Sequence, residues 1–354
     1  MSFDDGWAAL NLEMPPRVPR TEYSAQMHWD LMAAVTGVPV RADSPEEIKG
    51  RARRIFVDRD HWNFDLFWNT LIGGPDLEPY RSRMGHAEYA AAGADRDDRV
   101  YCAFAGPDEV LRFDPREKLR TPPRNELVRR FEEHVRGARA THPDGVNMTG
   151  VYVTAVSGLI DLLGWDLLLE TAGLDARGLG ALVERYSQWL QPFFDALAEA
   201  DAPVVMVHDD LVWTSGPFIH PDWYRAYVFP ALRRYLAPLR AAGKKVLFTS
   251  DGNYTAFVDD IAACGATGFV LEPMTDMALI AGRYGRTHAF VGNVDTRALL
   301  QGPRAAIRAE VERCMAIGKG CPGFFLAVGN HIPPNTPVEN ALYYNEVYES
   351  LSRR

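Results

Sequence analysis

From residue 146 onward the chain keeps one rhythm: short β-branched or aromatic runs alternate with amphipathic helical stretches. "VNMTGVYVTAV" reads as a strand, while "SGLIDLLGWDLLLETAG" and "ARGLGALVERYSQWLQPFFDALAEA" place apolar residues at three- and four-residue spacing, as helices do. "PVVMVHD", "KVLFTS", "GFVLEP", "HAFVGNV" and "GFFLAVG" supply further strands, each followed by helical sequence. Gly243, Gly265 and Gly285 stand where helices should stop. This alternation implies βαβ units and a parallel sheet. Six such strands lie in the second half, and "RVPRTEYS" plus one strand between residues 50 and 106 would make eight. The expected fold is therefore α/β, a single (β/α)8 TIM barrel over residues 1–354. A doubly wound open sheet is the alternative, but no GxGxxG loop follows the first strand. Residues 38–145, less regular and rich in Asp, Arg and Pro, read as N-terminal insertions capping the barrel mouth.

Bulk properties narrow the class. Hydrophobic content of 47% is enough for a large core, and a net charge of −9 argues against a nucleic-acid partner, which calls for a basic stripe. No apolar run reaches the roughly 18 residues that a membrane span needs. The acidic start "MSFDDGWAALNLEMPPRVP" lacks the basic region of a signal peptide, so a cytoplasmic location is expected. On that expectation the sequon "NMTG" carries no sugar. Cys102, Cys264, Cys314 and Cys321 show neither CxxC pairing nor zinc-finger spacing, and read as reduced, mostly buried thiols.

In a (β/α)8 barrel, chemistry gathers at the C-terminal ends of the strands. Those ends here are Glu22, His208-Asp209-Asp210, Thr249-Ser250-Asp251-Gly252-Asn253, Glu272-Pro273, Gly292-Asn293-Val294-Asp295 and Gly329-Asn330-His331. Any single Asp or Asn there can be a cap for the next helix, and Asp251 and Asp295 are open to that reading. Capping does not account for His208, Glu272 or His331, so the set reads as a polar pocket. Asp251 is expected to serve it, with Gly252 turning the chain and Asn253 capping the next helix. Glu310 lies mid-helix and reads as solvated. The stretch "DRDHWNFDLFWN", with His61, Trp62, Phe64, Phe67 and Trp68, reads either as an apolar lid over a flat ring or as packed core. His28 and His86 are not read as ligands.

"GPFIHPDWYRAYVFPALRRYLAPLRAAGKKVLFTSDGN", "VGNVDTRALLQGPRAAIRAEV" and "GNHIPPNTPVENALYYNEVYE" resemble the uroporphyrinogen decarboxylase superfamily, which includes cobamide-dependent methyltransferases. The opening "PPRVPRTEYSAQMHWDLMAAVTGV" resembles its methyltransferase-like members. The resemblance implies a (β/α)8 barrel. The tetrapyrrole decarboxylase's R-Q-A-G-R-Y motif is missing, since Arg17 and Arg20 lack that spacing, and an acidic pocket would repel a polyanionic porphyrinogen. The thiol-methylating members hold zinc with His-x-Cys and a later Cys; Thr249-Ser250-Asp251 and Asn330-His331 stand at those places here. Members that demethylate phenyl methyl ethers are similar in using carboxylates and a histidine for zinc, which polarises the ether oxygen so that a corrinoid can attack the methyl carbon in line.

The resemblance thus implies methyl transfer from a small, O-methyl aromatic type of substrate to a corrinoid carried by a partner protein. Asp251, Asp295 and His331 are the expected zinc ligands, with Glu22 and His208 as further donors. His208, Asp209, Asp210 and Asp251 are the candidate catalytic residues. Glu22, Asn253, Glu272 and Asn293 are candidates for substrate binding. The alternative is a metal-free decarboxylase of a small carboxylic acid, in which Asp209 or Asp210 protonates or stabilises the carbanion position. A third reading is an inactive barrel kept for binding or assembly. Expected partners are the small-molecule substrate and the corrinoid protein, with a homodimer left open.

Overall fold

The computed structural model describes residues 3–82, 87–90, 93–96 and 101–354. Six strands form one parallel sheet: Thr149–Val151, Val204–His208, Lys245–Thr249, Gly268–Val270, Ala289–Val291 and Phe324–Phe325, neighbouring one another in chain order. The remaining circuit is thin but continuous. Leu326 bridges Arg20 in parallel, the Asp65 N–H bonds to the Arg20 carbonyl at 2.9 Å, and Leu66–Phe67 pairs in parallel with Val146–Asn147. The two first-half strands thus sit where "RVPRTEYS" and the 50–106 stretch place them. Helices Ala155–Leu174, Ala176–Glu199, Phe229–Ala241, Arg304–Gly318 and Val338–Leu351 follow the helical periodicity of the sequence closely.

Alternation along the strands divides the core in two. Leu66, Val146, Met148, Val204, Met206, Leu247, Ala289, Val291, Phe325 and Ala327 fill the barrel interior, joined by Ala9 and Leu10 of helix Phe3–Leu10. Their neighbours Val205, Val207, Val246, Phe248, Phe269, Phe290, Phe324 and Leu326 face the helical layer. Because the strand repeat is two residues, this parity also decides which strand-end side chains reach the central cavity.

The described residues between 38 and 145 include regular elements that the composition does not indicate. Helix Arg124–Thr141 buries Leu127, Phe131 and Val135, and His134 on it lies 2.8 Å from the hydroxyl of Thr149. It is the barrel helix that precedes strand Val146–Asn147. Nearer the mouth, the Ser82 N–H bonds to the Asp161 carbonyl at 2.6 Å and Arg81 pairs with the Asp161 carboxylate at 3.4 Å. Trp62 and Phe64 are packed core, each 1% exposed. No helix of the described residues is long and apolar enough to cross a membrane.

Candidate active site

Inward parity carries Tyr23, Trp68, Tyr152, His208, Asp251, Glu272 and His331 to the mouth of the barrel, where they line a pocket of about 550 Å³. A wider outer chamber of about 1190 Å³ shares Tyr152, Asp251, Glu272 and His331 with it and adds Asp161, Asp210, Trp165 and Trp213. His208 lies flat on the Tyr152 ring, with centroids 3.8 Å apart and planes at 6°. Its Nδ1 is 3.0 Å from the Tyr152 carbonyl oxygen, which can only accept, so Nδ1 is the donor. Nε2 is therefore the ring atom left to face the carboxylates, and it lies 3.2 Å from Asp210 Oδ1.

Asp210 joins two strand ends. Besides facing His208, its Oδ1 accepts the Asp251 backbone N–H at 3.0 Å. Ligand atoms of His208, Asp210 and Asp251 all lie within 4.8 Å of one another, forming the one such His/Cys/Asp/Glu group among the described residues. Gly252 makes the approach possible. Its φ of 79° belongs to the left-handed region, and a Cβ there would stand 2.6 Å from the Trp213 backbone. Glu272 Oε2 accepts the Gly252 N–H at 2.8 Å, and Asn330 donates to its other oxygen.

The electrostatics follow from this crowding of charge. Burial works against a charged His208, but Asp210 and Asp251 outweigh it and lift the imidazole to about 9. Asp251 is open to the pocket water yet walled by protein. That partial desolvation, with Asp210 and Glu272 nearby, raises its carboxyl to about 7. Burial, with Asp251 and Asp210 adding to it, moves the Tyr23 hydroxyl up to about 12, so it is a neutral donor.

Two catalytic candidates, Asp209 and Asp210, are adjacent in sequence but part company in space. Asp209 has outward parity, is 1% exposed, and lines neither chamber. Its Oδ1 accepts the N–H groups of Val156 and Ser157 at 2.7 and 2.8 Å. Burial raises it to about 7 despite those bonds. Its bonds tie it to the helical layer, away from both chambers.

The three residues expected to hold metal do not come together. Asp251 and His331 do face one cavity, but Asp295 is turned aside: it caps helix Thr296–Gln301 and its carboxylate chelates Arg297 at 2.6–3.0 Å. That hydrogen bonding holds it below the usual carboxylate range. His331 stands edge-on to Tyr23, with Nδ1 2.7 Å from the Ser24 hydroxyl, and burial lowers its pKa. The residues whose ligand atoms the fold brings together are His208, Asp210 and Asp251, and neither Asp295 nor His331 belongs to that group.

Three of the four substrate-binding candidates serve the scaffold. Both oxygens of Glu22 are engaged, by Arg20 at 2.9 Å and Tyr344 at 2.7 Å on one side and the Val328 N–H at 3.0 Å on the other. Asn253 accepts the Thr255 N–H at 3.2 Å in the turn ahead of the short helix Thr255–Phe257, but the N-cap position there belongs to Tyr254. Asn293 is 1% exposed and holds the Glu272 and Thr275 carbonyls and Arg313. Only Glu272 reaches the pocket. Glu310 is half-buried instead of solvated, accepting the Asp295 N–H at 3.1 Å and pairing with Arg313. His28 caps a helix through Leu31 and bonds to the Thr336 carbonyl, and His86 lies outside the described residues. Trp68, from the stretch read as lid or core, faces the pocket, and Tyr23 and Tyr152 join it from strand ends that a search for polar residues passes over. Counting by twos from the interior residues Leu66 and Met148 reaches Trp68 and Tyr152 directly.

Fold and site together define a (β/α)8 barrel with an acidic, aromatic-walled pocket and a possible His/Asp/Asp metal triad at its mouth. Residues 107–350 match the family model for uroporphyrinogen decarboxylase (URO-D), and the chain belongs to that family. Curated relatives are the uroporphyrinogen decarboxylases of Pelobacter propionicus, 28% identical over 49% of this chain, and of Thermus thermophilus, 30% identical over 48%. The chain spans about half the length of the curated relatives it matches, at 49% and 48% of their sequences. Among solved structures, a methyltransferase from Methanosarcina mazei is similar over 97% of this chain and 96% of its own. That similarity has a TM-score of 0.64 at 20% sequence identity, and it is one of fold.

Proposed function

We propose that the protein moves a methyl group from a small O-methylated aromatic substrate to a corrinoid carried by a partner protein, with zinc held by His208, Asp210 and Asp251. The observation that carries this reading is the convergence of one imidazole nitrogen and two carboxylates on the pocket. The donor set fits the ion. Nδ1 of His208 is committed to a backbone carbonyl, so Nε2 is the ring nitrogen that a metal would take once it gives up its proton, and imidazole with carboxylate oxygens suits zinc. A divalent ion there supplies Lewis-acid polarisation of the substrate oxygen. The remaining work belongs to the chain. Tyr23, Trp68 and Tyr152 offer flat apolar walls for an aromatic ring, and Tyr23, kept protonated, can donate to an oxygen on it. Glu272, fixed by Gly252 and Asn330, keeps the pocket acidic.

The lining supports a neutral substrate over a polyanionic one. The described residues around the two chambers include Asp161, Asp210, Asp251 and Glu272 but no lysine or arginine. The test is metal analysis of the purified protein followed by incubation with an O-methyl aromatic and a reduced corrinoid protein. Stoichiometric zinc and corrinoid-dependent release of the free phenol are expected. Metal-free protein that turns over no methyl ether would overturn the reading.

Decarboxylation of a small carboxylic acid is the second reading, favoured by two observations. With its carboxyl raised to about 7, Asp251 carries a proton near neutrality and could deliver it to a carbanion left by CO2. The names of the curated relatives point the same way. It predicts CO2 release without metal, and Asp251, not Asp209, as the acid.

A further inference from the structure

We infer that Ser157 and Asp209 are positioning residues that clamp the His208–Asp210 loop to the first turn of helix Ala155–Leu174, holding the metal-facing donors in place before any ligand arrives. This rests on the metal-site reading above. The helix is capped in an unusual way. Thr154 at its N-cap makes no side-chain bond to its own helix, and its hydroxyl donates to the His208 carbonyl instead. The cap comes from the neighbouring strand, where Asp209 Oδ1 takes the Val156 and Ser157 N–H groups at 2.7 and 2.8 Å. Ser157 closes the loop in return: its Oγ accepts the Asp210 N–H at 2.7 Å and lies 3.3 Å from His208 Nδ1.

Each of residues 208, 209 and 210 is therefore bonded to the start of the same helix. Parity gives the arrangement its purpose. The residue that points out is the anchor, and the residues on either side of it present Nε2 and Oδ1 to the pocket. With the outward side chain pinned, neither neighbour can swing away alone. Partners that orient metal-facing groups commonly change metal affinity by about 10–100-fold. Stability alone is a poor reason for this carboxylate, because its buried Oδ2 has no hydrogen-bond partner among the described residues. An asparagine would keep the Oδ1 acceptor and replace only that orphaned atom.

Cobalt(II), titrated spectrophotometrically into the full chain, is the probe. Ser157→Ala and Asp209→Ala should bind it about 10–100-fold more weakly than the wild type, with Asp209→Asn restored close to wild type. Ser157→Ala removes one oxygen and tests the clamp if Asp209→Ala fails to fold. Wild-type affinity in both alanine variants would overturn the clamp. So would an Asp209→Asn defect as deep as that of Asp209→Ala, since charge and not the shared acceptor would then matter. If the wild type takes up no cobalt, the metal reading falls on its own, and the clamp is judged by proton NMR of the His208 ring N–H groups. Signals seen in the wild type and Asp209→Asn but lost to exchange in the two alanine variants support it; equal signals in all four overturn it.

Discussion

The Arg20–Glu22 cluster and the His208–Asp210–Asp251 cluster both gather opposite charges at strand ends, in very different surroundings. Arg20 is fully buried, with its guanidinium carbon 4.6 Å from the Trp62 ring centre and 4.5 Å from that of Tyr348, and it bonds to Glu22 and Asn345. Glu22 spends its oxygens on Arg20, Tyr344 and Val328, so the cluster ties the first strand to the last and to the C-terminal helix. At the other cluster the histidine is sealed on one ring nitrogen, while the second nitrogen and the Asp251 carboxylate look into a cavity. Burial of charge by itself does not mark a site. Donor capacity left facing a cavity does.

Substitutions in each cluster separate their roles. The largest effect should come from Glu22→Ala, which strands the Arg20 cation; a loss of about 3–5 kcal/mol is expected for half of a buried pair. Denaturant unfolding measures it. Because Val146–Asn147 pairs with Leu66–Phe67 across residue 145, that unfolding should be one transition. Two stable fragments from cleavage near residue 145 would contradict it.

Asp251→Asn comes next. Turnover should fall by on the order of 100-fold, a few kcal/mol of barrier, with the melting temperature little changed. Unchanged turnover would reduce Asp251 to a strand-end cap, since Asn caps about as well.

The pH dependence is smaller and has a defined sign. His208 is lifted to about 9, above its usual 6.5, so the folded metal-free protein holds that proton more tightly than the unfolded chain. Its contribution is fully present below pH 6.5 and is lost as pH rises through about 9. Asp251, raised from 3.8 to about 7, adds a further decline over that lower range. Melting temperatures of metal-free protein should therefore fall from pH 6 to 9, and His208→Gln should flatten the upper part. Metal affinity should run the opposite way, rising with pH as His208 gives up its proton. A melting temperature that climbs over this range would be incompatible with the protonated histidine.

The smallest effect is expected at the rim. Asp295→Asn should leave cobalt stoichiometry unchanged and alter stability by less than about 1 kcal/mol, because Asn is an equivalent cap and the Arg297 pair is solvent-facing. Loss of the metal would return Asp295 to the ligand set.

The barrel was legible in local periodicity. Apolar runs of strand length between amphipathic helices have one economical parallel arrangement, so "PVVMVHD" and "KVLFTS" became neighbouring strands whose ends carry the polar residues. Parity was also legible: Val204, Met206 and His208 fall on one face, Val205, Val207 and Asp209 on the other. Which polar ends meet was not legible there. Asp295 was lost to Arg297 two residues away, a local competitor that strand-end position does not weigh. Glu22 was claimed by Tyr344, 322 residues distant in the chain. Asp210 lies beyond the last residue of its strand, and it is held beside His208 by Ser157, 53 residues away, and by the Asp251 N–H, 41 residues away. Secondary structure follows local periodicity, whereas the partner of each charged side chain is chosen by distances that exist only once the barrel closes.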